Sequence, residues 1–470
     1  MTEENGLSRR QIIRYTSGVA ASFGLAGCSG DGSDTPTGDG GDGGDGGSNT
    51  STATEGQTTS QVNPQQLDFW AWTVWVPILE DLSESYDGPH DVSITEQAPG
   101  EIAELLTTSL QSQTNMPSIS LLRRGVQKSL PRQGGVLKLD DLVSEYEDRL
   151  FDVAKTKSKV DGSYYGVMND IGPIALWYNK NLYDQAGLPT EREALEEEIQ
   201  TWDDFIQAGR DLESQTGAKM IAMELGGSAN GFHQAMTTQL GGRWYDKSSS
   251  EFSFNQEANV KAYNTMKDLK EINEPLSRGS SQFWGAIRNE NVANICAPAW
   301  MLSYATETIS EMSGDWGVYR LPRHENSPTD YNARASNYGG AVAGIPSALP
   351  SAEREAAKDF LVYSELSEDA FNTTLELGGF PAHFIEGAEQ ITAEKEFFDN
   401  QQSNKVYIDA ARACPPQYVV PNSRVQELSG EATRLILQED EPVEQTLDDI
   451  NQQMVSTIQE ADMTVEGTTG

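Results

Sequence analysis

Leu67-Asp68-Phe69-Trp70-Ala71-Trp72, residues 78–86, Val92-Ser93-Ile94-Thr95-Glu96, residues 101–113 and residues 117–122 follow one another with short breaks, and their succession decides the fold class. The first, third and fifth segments are short and rich in apolar and β-branched residues, and read as strands. The second and fourth repeat apolar residues at helical spacing. Strand, helix, strand, helix calls for right-handed crossovers and a mainly parallel sheet covered on both faces. The sequence therefore predicts an α/β protein. The same grammar recurs further on. Thr201-Trp202-Asp203-Asp204 opens a helix with a threonine N-cap and early acids that suit the helix dipole. Residues 255–269 and 351–366 read as long helices, and no internal sequence repeat is evident.

Outward from this region, the N-terminus reads as an export signal. Ser8-Arg9-Arg10-Gln11-Ile12-Ile13-Arg14 is followed by a small and apolar stretch over 16–26, then by Leu25-Ala26-Gly27-Cys28. This is the pattern of a twin-arginine signal (1–27) ending in a lipobox, which leaves Cys28 as a lipidated N-terminus. The apolar run is too short to span ~30 Å of hydrocarbon, which takes roughly 20 residues. Residues 28–63 then read as an acidic Gly/Asp/Ser/Thr tether. From 29 to 63 there are six acidic residues and no aromatic, lysine or arginine, so the segment cannot bury enough apolar surface to offset its ordering entropy. It reads as an extended spacer rather than a calcium-binding β-roll, which needs apolar residues at fixed positions. Asn49-Thr50-Ser51 and Asn372-Thr373-Thr374 match the N-glycosylation pattern, and whether either is modified stays open.

The chain has 470 residues, 72 of them acidic against 33 basic, for a net charge of −39. That balance excludes nucleic acid and anionic lipid surfaces as partners. Charge-dense blocks such as Glu191-Arg192-Glu193 read as solvated helix faces. The acid excess and scarce lysine read as adaptation to high salt, in the haloarchaeal manner, where screening makes self-repulsion tolerable. The roughly four hundred residues beyond the spacer exceed one compact domain and fit two. Cys296 and Cys414 are the cysteines beyond Cys28; export permits a disulfide between them, and the pairing stays open.

Several stretches, in their order, carry a family resemblance. Tyr165-Gly166-Val167 precedes Ile174-Ala175-Leu176-Trp177-Tyr178-Asn179-Lys180-Asn181-Leu182-Tyr183, then Ala186-Gly187-Leu188-Pro189 and Thr201-Trp202-Asp203-Asp204-Phe205. Ala293-Asn294-Ile295-Cys296-Ala297-Pro298-Ala299-Trp300, Gly314-Asp315-Trp316-Gly317-Val318-Tyr319 and Gly339-Gly340-Ala341-Val342-Ala343-Gly344-Ile345 continue it. In this the chain resembles extracellular solute-binding proteins of the maltose-binding type, which serve ABC transporters. The resemblance implies a periplasmic-binding-protein fold: two α/β lobes joined by a hinge that the chain crosses three times. The crossings are placed at 171–173, 338–346 and 405–416. Lobe I then comprises 64–171 plus 346–405, lobe II 172–345 plus 406–460, and 461–470 is a tail.

The resemblance further implies a monomer that binds a carbohydrate, hands it to ABC permease subunits, uses no cofactor and breaks no bond. A sugar offers an apolar ring face to aromatic side chains and a rim of hydroxyls to carboxylates, amides and guanidiniums. Two lobes closing by a hinge exclude water around it. Strand ends are where open α/β sheets bind ligands. Trp72 and Trp75 follow the first strand, Glu96 ends the second, and Arg123 and Arg124 follow Ser120-Leu121-Leu122. Asp170 precedes the first crossing. Asn230, Phe232 and His233 follow Met220-Ile221-Ala222-Met223, where the family places contacts. Trp284, Trp300, Tyr338 and Arg424 complete the candidate set. The alternatives are a secreted glycoside hydrolase working through two carboxylates, or the same scaffold binding glycerol phosphate, a peptide or a polyamine. His90, His233, His324 and His383 show no metal-ligand spacing, and zinc, nucleophile-elbow and Walker motifs are lacking.

Overall fold

The computed structural model describes residues 64–460, apart from 99, 124–125, 227–230, 243, 247–250, 328–330, 386–395 and 418–422. The export signal, the tether with Cys28 and Asn49, the 461–470 tail, Arg124 and Asn230 lie outside the described residues.

Two five-stranded sheets organise the chain. The first contains β1 (Gln66–Ala71), β2 (Asp91–Glu96), β3 (Ile119–Leu122), β4 (Val167–Met168) and β10 (Val342–Gly344). The second contains β5 (Ile174–Asn179), β6 (Lys219–Ala222), β7 (Asn273–Glu274), β8 (Val292–Pro298) and β9 (Trp316–Tyr319). Their orders are β2-β1-β3-β10-β4 and β7-β6-β8-β5-β9. The helices between the early strands, Val76–Ser85 and Ile102–Ser112, lie close to where the apolar spacing puts them. Thr201 caps Trp202–Thr216 in a reciprocal box: its Oγ1 accepts from the Asp204 amide at 3.1 Å, and Asp204 Oδ2 accepts from the Thr201 amide at 2.8 Å.

The mainly parallel expectation holds for four of the five strands in each sheet, and one strand in each runs against the rest. In the first sheet β1 pairs in parallel with β2 and β3, but β10 runs antiparallel to both β3 and β4. The second sheet repeats this: β6 is parallel to β7 and β8, while β5 is antiparallel to β8 and β9. The cause is the connection between sheets. β5 and β10 each arrive directly from the other sheet, on the side where the parallel strands end, so they run back against their neighbours. The two sheets share this plan without a sequence repeat.

Strand periodicity divides the interior into two apolar clusters. On β5, Ala175 and Trp177 face the first cluster, while Ile174, Leu176 and Tyr178 face the second. The first cluster covers the first sheet and one face of the second sheet. The second cluster is closed by Tyr263 and Met266 of the helix Glu257–Leu269, and by residues of Ser423–Leu437 and Val443–Glu460. β3, β5 and β8 are buried along their whole length, as strands covered on both faces must be. Cys296 and Cys414 are buried free thiols, which closes the question of a disulfide between them; burial pushes both up to about 12.

The passages between sheets lie side by side. The Asn169 amide donates to the Ala341 carbonyl (3.0 Å), Gly172 to Asn337 Oδ1 (2.7 Å), Tyr338 to the Gly172 carbonyl (2.7 Å) and Ile174 to the Ser336 carbonyl (3.0 Å). Residues ahead of and within 405–416 pack on the second sheet. Phe397 and Phe398 already pack their rings on Trp177 of β5 at 5.8 and 5.0 Å, and the Tyr407 hydroxyl accepts from Trp177 Nε1. Pro415 and Pro416 follow the helix Ser403–Ala413. Gln417 then returns to the second passage, bonding the Asn337 amide and carbonyl groups at 3.1 and 3.0 Å.

Charged groups are buried at this junction. Lys157, on the helix Asp152–Ser158, donates to the Gly339 carbonyl at 2.6 Å, and Asp170 accepts the Ala341 amide at 2.9 Å. Burial pushes Asp170 up to about 7, opposed by the Ala341 hydrogen bond and the Lys157 charge. Burial lowers Lys157 to about 8, and raises Glu365 on Ser351–Leu366, which also feels Asp170. A carboxyl that holds its proton longer folded than unfolded favours folding most below its unfolded value of about 4, and less as pH rises toward 7. Asp170→Asn keeps an acceptor for Ala341 and removes the titration. Urea midpoints measured from pH 4 to pH 7 should therefore fall less steeply in Asp170→Asn than in the parent; identical slopes would contradict this account.

Candidate functional site

The side chains just beyond the strand ends form a continuous arc from the first sheet to the second. Trp72 follows β1, and the Arg123 guanidinium, just after β3, stands over its indole at 5.5 Å. Arg123 acts electrostatically on the Tyr304 hydroxyl, whose pKa burial raises and the arginine opposes. Tyr304 lies four residues after Trp300 on the helix Met301–Thr308, so the two occupy neighbouring positions on one helical face; their ring centroids are 6.1 Å apart. Trp300 follows β8 and its Nε1 donates to the Tyr338 carbonyl at 3.0 Å. The Arg278 guanidinium stands over the Tyr338 ring at 5.3 Å and donates to the Cys296 carbonyl at 3.2 Å. Glu224, beyond β6, completes the arc: burial raises its pKa, while the Ser277 hydroxyl and Arg278 hold it down.

The arc therefore combines four aromatic side chains with two guanidinium groups and ends on a carboxyl. Aromatic faces suit the apolar face of a ring-shaped solute; the guanidiniums and the carboxyl suit its hydroxyl rim. Among the described residues, no three His, Cys, Asp or Glu side chains group as metal ligands.

The structure places Trp72, Arg123, Trp300 and Tyr338 along the arc. Trp75 is buried; its amide donates to the Trp72 carbonyl at 2.8 Å, and its ring lies against Gly379. Asp170 is buried in the passage between sheets, where it accepts a backbone amide. Glu96 is exposed and accepts from the Thr73 hydroxyl at 2.5 Å.

Four expected positions fall away from the arc. Phe232 sits in the second apolar core, 5.9 Å from the Trp202 ring. His233 is 2% exposed and stacks on Tyr263 at 4.3 Å; burial lowers its pKa to about 3, so it is a neutral core residue. Both belong to the helix Gly231–Gln239 rather than to a loop after β6, which turns them inward. Trp284 is buried on the helix Ser281–Arg288, edge-on to Phe283 at 5.0 Å. Arg424 is exposed and pairs with Glu427 at 3.1 Å and Glu431 at 3.8 Å on its own helix.

Sequence reading missed Tyr304, Arg278 and Glu224. The spacing from Trp300 carried a signal for Tyr304, which at 38% exposure is an unusually open large side chain here. Arg278 follows β7, only two residues long and too short to register as a strand. Glu224 directly follows a segment that was legible as a strand, and its place beyond that strand end was the available cue.

Known proteins share this architecture. A solute-binding protein from B. animalis subsp. lactis, solved with beta-1,6-galactobiose, superposes with a TM-score of 0.69 at 20% identity, covering 86% of this chain and 99% of the other. The sugar-binding protein MalE from Xanthomonas citri gives 0.70 at 15% identity, covering 84% and 98%. Both likenesses establish a periplasmic-binding-protein-like fold. An arabinooligosaccharide-binding protein of Halalkalibacterium halodurans is 24% identical over 335 residues, 67% of this chain and 70% of its own length. A lactose-binding protein of Rhizobium radiobacter is 26% identical over 313 residues, 63% of this chain and 69% of its own length. These relatives are binding proteins, not enzymes. Residues 91–369 match the sequence profile of the bacterial extracellular solute-binding proteins; with more than half its length matched, the chain belongs to that family.

Proposed function

We propose that this protein is the receptor of an ABC importer, binding a sugar or oligosaccharide between two closing lobes and delivering it unaltered to the permease. The observation that carries this reading is the arc of Trp72, Arg123, Tyr304, Trp300, Tyr338 and Arg278 running from one sheet to the other. The arabinooligosaccharide- and lactose-binding relatives support a carbohydrate over the phosphate-ester, peptide and polyamine alternatives. The protein acts as a monomer outside the cell, exported by the twin-arginine route and held at the membrane by lipid on Cys28. Its acid-rich surface suits working in concentrated salt.

A ligand that binds only the folded state stabilises it by about 2.7 kcal/mol at a hundredfold excess over Kd. A thermal-shift panel of arabino-oligosaccharides, lactose, β-1,6-galactobiose and glycerol 3-phosphate, run in molar salt, should raise the melting temperature by several degrees for at least one sugar. A shift with glycerol 3-phosphate alone would replace the carbohydrate reading. With the responding sugar, Tyr304→Ala and Arg123→Met should each weaken binding about tenfold, equivalent to about 1.4 kcal/mol, while leaving the ligand-free melt nearly unchanged. Unaltered titrations for both would remove the arc as the binding surface. Cys28→Ser should release the protein into the medium or block its maturation; unchanged membrane attachment in cell fractionation would rule out the lipid anchor.

A further inference from the structure

Five consecutive residues after β8 touch the first two passages between the sheets. The Ala299 amide donates to the Pro173 carbonyl of the first passage at 3.0 Å. The Trp300 indole N–H donates to the Tyr338 carbonyl of the second passage at 3.0 Å. A Cβ on Gly172 would stand 3.0 Å from Trp300 Nε1, and one on Gly339 (φ +115) would stand 2.7 Å from it. A Cβ on Gly378 (φ +86), in the turn after the helix Glu368–Glu376, would stand 2.9 Å from the Ser303 amide nitrogen. Three glycines thus admit one turn, 299–303: Gly172 and Gly339 in the first two passages, and Gly378 after the helix Glu368–Glu376. Two of them adopt a backbone conformation that side chains rarely take, so the close approach is built into the chain.

The other side of Trp300 meets Tyr304 and the arc. Trp300 is therefore bonded to the passage that must bend when the lobes close, and it also borders the surface where the solute lies. A group that contacts ligand and hinge together gives the ligand different contacts in the open and closed forms, which is what shifts such an equilibrium.

We propose that the turn 299–303 couples the binding arc to the hinge, with Trp300 as a positioning residue that sets the angle between the lobes through Tyr338, Gly172 and Gly339. The ligand half of this statement rests on the carbohydrate-receptor reading, while the contact between Trp300 and the passages stands without it.

The test is hydrogen exchange on the full chain, first without ligand. Trp300→Phe keeps an aromatic ring and removes the N–H donor; Gly339→Ala crowds that donor, since its Cβ would stand 2.7 Å from Nε1. In either variant that keeps a cooperative melt, the Gly172, Ile174 and Tyr338 amides should exchange about five- to tenfold faster, the scale of one lost hydrogen bond, with β6 unchanged. Saturating lactose or arabinotriose should slow those amides in the parent and slow them less than half as much in Trp300→Phe. Parental exchange at the passages in both variants, or full protection of sugar-saturated Trp300→Phe, would overturn the proposal. A parent that binds neither sugar counts against the receptor reading alone, and the ligand-free exchange still decides the coupling.

Discussion

The backbone pairing of residues 169–174 with 336–341 is the constraint on which this structure depends. It joins two sheets that otherwise have separate hydrogen-bond ladders. It also sets their topology, because a strand entering from this junction can only run antiparallel to the parallel strands that end there. A ribbon of this kind resists shear and stretching, since each amide is matched to a particular carbonyl, but it bends across its thin direction. The buried Lys157 and Asp170 bind its backbone near Gly339 and Ala341, so their interaction with the ribbon is barely screened by the salt around the molecule.

The surface behaves differently. Its ion pairs are mostly exposed and solitary, such as Arg210 with Glu271 at 2.7 Å and Lys270 with Asp440 at 2.7 Å. Pairs like these contribute little at any salt and less as salt rises. With 72 acids against 33 bases, most surface carboxylates have no cation to meet. Stability therefore comes from the two apolar cores and the satisfied backbone at the junction, not from surface charge.

Much of the first lobe was legible. β1, β2 and the helices after them followed from apolar spacing, and the Thr201 N-cap from local chemistry alone. Strand direction was not legible beyond β3, because antiparallel entry depends on which sheet the chain has just left. At the site, Trp72, Arg123 and Trp300 were readable from their places after strands. Phe232 and His233 were misplaced because a helix start and a ligand-facing loop have the same composition until the helix turns one face inward. Arg278 escaped because β7 owes its extended form to pairing with β6, not to its own two residues.

The second apolar core has a further consequence. It begins at Ile174 on β5, yet Val425, Leu428, Leu447, Ile450 and Met454 are needed to cover the helix that bears Tyr263 and Met266. On the ribosome this core stays unsealed until the residues around 425–454 have emerged, and its contacts join distant stretches, which makes folding slow. Until then a greasy helical face is presented to chaperones and proteases.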